Sequence, residues 1–245
     1  MRILLTNDDG INAEGLKVLT EFASTLGHVT VCAPREQQSA KSHAINIHTP
    51  FAVKKVEYEG ADEAYEVDST PVDCVRFGTL GLLRGYDVVF SGVNRGLNMG
   101  EDIAYSGTVG AIFEAKYRNI KAVAFSAEIH TFDSARAWIG KAYDFITKHN
   151  MFDCCDLLNV NIPDNPKGIL VTKQGGAYYT DSFKEIEKDL WQQNGYCIHD
   201  NCHDLTIDTD ATIDGYVTIT PVITDRTNHK AFDELIKRVG GNKIK

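Results

Sequence analysis

Asp8 and Asp9 are adjacent carboxylates at the end of a short apolar run, Ile3–Thr6, and Gly10 follows them. Neighbouring carboxylates repel each other unless a cation lies between or near them. The bland alternative is a solvated turn before the next helix, whose dipole also favours acids. Ser39 and Asn94 follow two further apolar runs, and their presence moves the balance to a metal site. Carboxylate, hydroxyl and amide oxygens suit Mg²⁺ or Mn²⁺ better than zinc. Ser106-Gly107-Thr108 stands where a helix is predicted to open. Free N–H groups, a permissive glycine and two hydroxyls make an anion site there. Taken alone, the tripeptide reads as a simple N-cap at Ser106. Beside a metal it reads as a cradle, because a cation and an anion cradle are what phosphoryl chemistry needs.

Other reactive side chains are weaker signals. His43, close to Ser39 and Ser42, stands evenly between acid–base work and an ordinary loop histidine, whereas His48 reads as a loop residue. Cys202 lies near His199 and His203, but no second ligand pair has finger spacing, so a polar loop is preferred to zinc. Cys32 and Cys74 sit in apolar stretches and read as buried free thiols. Trp191 and the Tyr178-Tyr179 pair read as core or interface before base-stacking groups. Walker A, the dinucleotide glycine fingerprint and the nucleophile elbow are all missing.

The elements that must position these groups alternate. Apolar runs at Ile3–Thr6, Val29–Ala33, Asp87–Gly92, Ala122–Ser126 and Leu157–Ile162 read as strands. Helices are expected over 13–26, from Thr70 to about Leu83, over 107–118 and over 133–149, with extended structure over 51–68. Thr70-Pro71-Val72-Asp73 supplies a capping hydroxyl, Pro at N1 and an acid at N3. The expected fold is α/β: a Rossmann-like three-layer core with a mostly parallel sheet over 1–167. Residues 168–245 are expected as a β-rich extension of strands and turns, closed by an amphipathic helix over 228–240. Ligands of open α/β sheets bind beyond the carboxyl ends of strands. Asn7, Asp8 and Asp9, then Arg35, Ser39, Ser42, His43 and Asn46, then Ser91, Asn94 and Asn98 are delivered there by three strand ends.

Composition narrows the partners. Lys and Arg number 25 against 34 Asp and Glu, a net charge of −9, which disfavours a nucleic-acid polymer bound along the surface. Hydrophobic residues make up 43%, enough for a core and against disorder. No apolar stretch approaches the length of a membrane span, and the apolar run after Met1 is too short for a signal peptide, so the expected compartment is the cytoplasm.

Four blocks then resemble the SurE family of stationary-phase survival proteins. They are Ile3–Gly10, Ala33–Ala40, Ser91–Gly100 continued by Asp102 and Tyr105–Val109, and Gly215–Pro221. The match is weakest over 168–210, and Ala115 stands where that family commonly has glycine. The resemblance implies a metal-dependent 5′/3′-nucleotidase, with the cation held by Asp8, Asp9, Ser39 and Asn94. It implies that Asn98 and the Ser106-Gly107-Thr108 turn hold phosphate, and that the protein is a homodimer or homotetramer. The expected reaction is hydrolysis of nucleoside monophosphates by a metal-activated water, with Asp8 or Asp9 orienting or deprotonating it and His43 as the acid for the leaving oxygen. A phosphoaspartate route, a short-chain exopolyphosphatase and a noncatalytic nucleotide-binding module are the alternatives.

Overall fold

A computed structural model describes residues 1–239. In chain order the elements are β1 (Arg2–Thr6), α1 (Glu14–Ser24), β2 (His28–Pro34), β3 (Val53–Val56), β4 (Glu63–Val67), α2 (Pro71–Arg76) and β5 (Val88–Arg95). Then follow α3 (Gly107–Tyr117), β6 (Lys121–Ala127), α4 (Asp133–Lys148), β7 (Leu157–Ile162), β8 (Ile169–Val171) and the hairpin β9 (Tyr179–Glu187) and β10 (Leu190–Cys197). Last come α5 (Asp208–Ile213), β11 (Val217–Pro221) and α6 (His229–Arg238).

Nine strands form one sheet in the order β3-β4-β2-β1-β5-β6-β7-β11-β8. The run from β4 to β7 is parallel, while β3 and β11 are antiparallel to their inner neighbours. Side chains alternate across the sheet. Ile3, Leu5, Phe90 and Phe125 pack with Leu16 and Leu19 of α1 and Ile139 and Ile146 of α4. Leu4, Val89 and Ala124 pack on the other face with Val75 of α2 and Ile112 of α3. This two-sided burial explains why the central strands are apolar throughout. From β1 the chain runs outward to β2, β3 and β4 and only then returns to β5 on the other side, which opens a crevice between the carboxyl ends of β1 and β5.

The structure departs from the sequence expectations in three places. β5 does not stop at Gly92 but runs to Arg95, because it carries one residue more than β6 between Ser91 and Asn94. Asn94 therefore sits on a strand, paired with Ser126. The helix begun by Thr70 stays α-helical only to Arg76 and continues as a wider turn over Phe77–Gly81. The stretch expected as strands and turns contains α5, whose Asp-Thr-Asp-Ala-Thr-Ile sequence has weak helix propensity and is held by burial instead. Residues 168–239 divide in two. β8 and β11 complete the main sheet, while β9, β10 and α6 bury no side chain. Trp191 and Tyr179 are thus exposed and not core. Gly240, the end of the expected helix, and residues 241–245 of the expected extension lie outside the described residues. Among the described residues no helix is long and apolar enough to cross a membrane.

Candidate active site

β1 ends in the core, and its next residues turn across the crevice. Asn7 Nδ2 donates to Gly10 O at 2.9 Å, fixing the turn that presents Asp8 and Asp9. Asp8 is only 5% exposed. Burial, with the negative charge of Asp9 adding to it, lifts its carboxyl to about 6 against the opposing hydroxyl of Thr108. That hydroxyl donates to Asp8 Oδ1. Asp9 is half-buried and is also raised, again chiefly by burial, although the Arg95 N–H donates to its Oδ2 at 3.1 Å.

The structure brings the predicted oxygen donors around this pair. Gln38 N–H donates to Asp8 O at 2.7 Å, which docks the loop carrying Ser39 against the acids. Gln37 Nε2 spans the gap, donating to Ser39 Oγ at 2.9 Å and to Asp9 Oδ1 at 3.5 Å. Asn94 Nδ2 donates to Gly96 O at 2.7 Å, so its Oδ1 is the end left to act as a ligand. Asn7 Oδ1 and Ser91 Oγ are buried near the same strand ends with no hydrogen-bond partner among the described residues. Two carboxylates, a hydroxyl and a carboxamide oxygen form a hard donor set. The residues present fit Mg²⁺ or Mn²⁺.

The predicted cradle abuts the acids. Ser106 caps α3, accepting from Val109 N–H at 3.1 Å, and Gly107 is its first helical residue. A Cβ on Gly107 would lie 2.9 Å from Asp8 Cβ, so no larger residue fits without moving the acid. The first residue of α3 therefore packs directly against Asp8. Asn98 is held from behind. Its N–H donates to Asn161 Oδ1 at 2.8 Å, and its carbonyl accepts from Asn159 Nδ2 at 2.7 Å and Asn161 Nδ2 at 2.8 Å. Its side-chain amide donates to Ser126 Oγ at 2.8 Å.

His43 is placed elsewhere. Its Nε2 lies 3.3 Å from Glu114 Oε2, and its ring stacks on Tyr117, the last residue of α3. Gly107 and Glu114 are two helical turns apart, which sets His43 back from the acids. The expectation of His43 as leaving-group acid therefore meets an imidazole engaged by another carboxylate. The zinc alternative dissolves in the same way. His199 faces Asp210 at 2.8 Å, His203 faces Asp214 at 2.9 Å, and Cys202 turns to its own loop. Among the described residues no three His, Cys, Asp or Glu side chains are grouped for a metal, and the acid pair itself depends on neutral oxygens to complete its set.

Sequence reasoning missed four supports. Ser126, Asn159 and Asn161 interrupt otherwise apolar strands near their carboxyl ends, and that interruption was the available signal. Asp208 of α5 is fully buried, its carboxyl raised by burial, and accepts from Gly100 N–H at 3.1 Å and Gly175 N–H at 2.7 Å. Gly100 has a φ of 58° and lies so close to Gly176 O that no Cβ fits. Nothing local in the sequence points to that long-range clasp.

The chain is similar to known proteins over nearly its whole length. The family description "Survival protein SurE" matches residues 3–181. The 5′-nucleotidase SurE of Clostridium botulinum (strain Alaska E43 / Type E3) is 37% identical over 251 residues, covering 97% of this chain and 99% of the relative. The 5′-nucleotidase SurE of Legionella pneumophila is 36% identical over 248 residues, covering 96% of each. The crystal structure of the SurE protein from Aquifex aeolicus superposes with a TM-score of 0.79 at 31% identity, over 98% of this chain and 100% of that one.

Proposed function

The chain belongs to the SurE family, and from that premise we propose that it hydrolyses nucleoside 5′-monophosphates, and 3′-monophosphates as a second class, to nucleoside and phosphate. One observation carries the reading. Asp8 touches both halves of the site, accepting from Thr108 and packing against Gly107, so that cation ligands and anion cradle share one wall. Asp8, Asp9, Ser39 and Asn94 would hold Mg²⁺ or Mn²⁺, which when bound supplies charge neutralisation and an acidified water.

The chain's own residues do the rest. The amides opening α3 bind the non-bridging phosphate oxygens, and being fixed beforehand they need no reorganisation as charge develops, while the Thr108 hydroxyl spends its one proton on Asp8 Oδ1 and holds that acid in place. Asn98 keeps one side-chain N–H beyond the one given to Ser126, and turns it to the phosphate. Asp9 orients the attacking water and takes its proton at Oδ1, whose partner Gln37 stands off at 3.5 Å. A homodimer or homotetramer fits the reading, because β9, β10 and α6 leave Phe183, Trp191, Phe232 and Leu235 exposed. Six free thiols fit the cytoplasm.

The test is a panel of nucleoside 5′- and 3′-monophosphates and short polyphosphate, each with Mg²⁺, Mn²⁺ or chelator. Chelator-sensitive release of phosphate from the nucleotides is expected. Full activity of Asp8→Asn, or turnover of polyphosphate alone, overturns the reading. Acid-quench trapping of a phosphoaspartate would replace water by an aspartate as nucleophile.

A further inference from the structure

The 35–52 connection joins β2 to β3 without a regular element, yet it carries Ser39. A long connection needs tethers if one of its side chains is to hold a fixed place. Gln38 supplies one at Asp8 O. Ser42 supplies two more, its N–H donating to Tyr105 O at 3.0 Å and its Oγ to Ala104 O at 2.6 Å, just before the cradle. Ala40 and Ser42 have left-handed backbone, φ 58° and 52°, and such conformations persist only where the surroundings enforce them. Gly110 lies flush against Ser42 and His43, with no room for a Cβ.

Thr70 Oγ1 donates to Ala44 O at 2.8 Å and Asp73 Oδ2 accepts from Asn46 N–H at 2.8 Å, tying the far part of the loop to the start of α2. Glu114 is a further anchor. Its side chain is 4% exposed and its two oxygens have different tasks. Oε1 accepts from Arg76 Nη1 at 3.1 Å and Arg118 Nε at 3.0 Å. Oε2 is turned to His43 Nε2 at 3.3 Å. Burial by itself would raise this carboxyl, but the His43 hydrogen bond and the charges of Arg76 and Arg118 hold it below the usual range. Two arginines from α2 and the end of α3 thus fix a buried anion whose second oxygen faces the loop. The imidazole is sandwiched in place, stacked on Tyr117 at 5.6 Å and edge-on to Phe113 at 6.2 Å.

We propose that Glu114 and His43 form a latch that holds the Ser39-bearing loop on α3 and so completes the cation site; both are positioning residues. The proposal rests on the reading of Ser39 as a ligand. It gives His43 a task that its place beside Glu114 allows, whereas the leaving-group role does not follow from that place.

The experiment uses the full chain and two readouts: amide hydrogen exchange over 37–46 without metal, and Mn²⁺ binding by calorimetry. His43→Ala is expected to speed exchange in that segment and to weaken Mn²⁺ binding, each about tenfold. Glu114→Gln should do the same, and the double variant should be no worse than either single one, because a latch fails once. His43→Gln, which keeps a donor within reach of Oε2, should recover most of both effects. Unchanged exchange in His43→Ala overturns the latch. So does a loss of kcat and of one limb of the pH profile with Mn²⁺ affinity intact, which is the mark of an acid. Should the parent bind no Mn²⁺, the metal reading fails and exchange alone decides the latch. Should Glu114→Gln not fold, the two His43 variants decide it.

Discussion

The carboxyl edge of the sheet and the β9–β10 hairpin with α6 are built on opposite terms. At the sheet edge, polar side chains are buried and several are fixed by hydrogen bonds with another element, as Asp8 is with Thr108 and Asn98 with Asn159, Asn161 and Ser126. In the hairpin and α6, apolar side chains are left in water; Phe183 is 64% and Trp191 58% exposed. The first region spends stability on a fixed polar geometry, and the second leaves uncovered the apolar area that the proposed homo-oligomer would bury. Substitutions at the edge should therefore damage activity at little cost in folding, those in the core should damage folding, and those in the arms should change assembly alone.

Asp8→Asn tests the edge most severely. Activity should fall by at least about a thousandfold with the loss of cation binding. Thermal stability should be kept or raised, because a neutral isostere relieves a buried carboxylate. Circular dichroism melting beside the phosphate-release assay checks both halves. Core substitution comes next. Phe90→Ala removes a ring packed against Phe125 and Tyr143, and should cost about 3–5 kcal/mol in denaturant unfolding. A loss much below that range would mean that the core is not the seat of stability.

A pH experiment separates body from arm more finely. Glu63 is held down to about 2 by its hydrogen bonds from Arg84 and Tyr65, and Asp225 to about 2 by hydrogen bonds from Thr227 and His229. A carboxyl depressed in the folded state adds stability above its unfolded pKa, and that stability is lost as pH falls through the folded value. For Glu63 the window runs from 4.5 down to about 2. Arg84→Gln should therefore move the acid-unfolding midpoint to higher pH, by a loss of about 1 kcal/mol in stability near neutrality. His229→Gln should leave the midpoint in place, because its partner is solvated and the pair is screened. Equal shifts would erase the distinction between the regions. The smallest effect belongs to Trp191→Ser. Its unfolding free energy under dissociating conditions should stay within about 0.5 kcal/mol of the parent. Its apparent mass in sedimentation should change if the hairpin is an assembly surface.

The same contrast governs what was legible beforehand. The runs around Ile3–Thr6, Ala122–Ser126 and Leu157–Ile162 announced buried parallel strands because both their faces are apolar. Asp8, Asp9 and the Ser106-Gly107-Thr108 turn were visible because their chemistry is concentrated in consecutive residues. Asp208 was not, since its partners, Gly100 and Gly175, are distant in the chain and its helix has poor propensity. Glu114 was present as a residue without a role, because its meaning depends on Arg76 and His43 arriving from two other segments. Local pattern reports burial and capping, and at most an interrupted apolar strand, as at Asn159 and Asn161, hints at a long-range hydrogen bond.

The strand order carries a consequence for how the chain comes to be folded at all. β11 lies between β7 and β8, although β8 is the earlier of the two in the chain. On the ribosome, the outer edge of β7 must stay unpaired until Pro221 has emerged, and β8 has no neighbour to join before then. A nascent chain halted before β11 would display an open strand edge, a hazard for pairing with other nascent chains. Completion of the sheet thus waits for β11, whatever has folded before it.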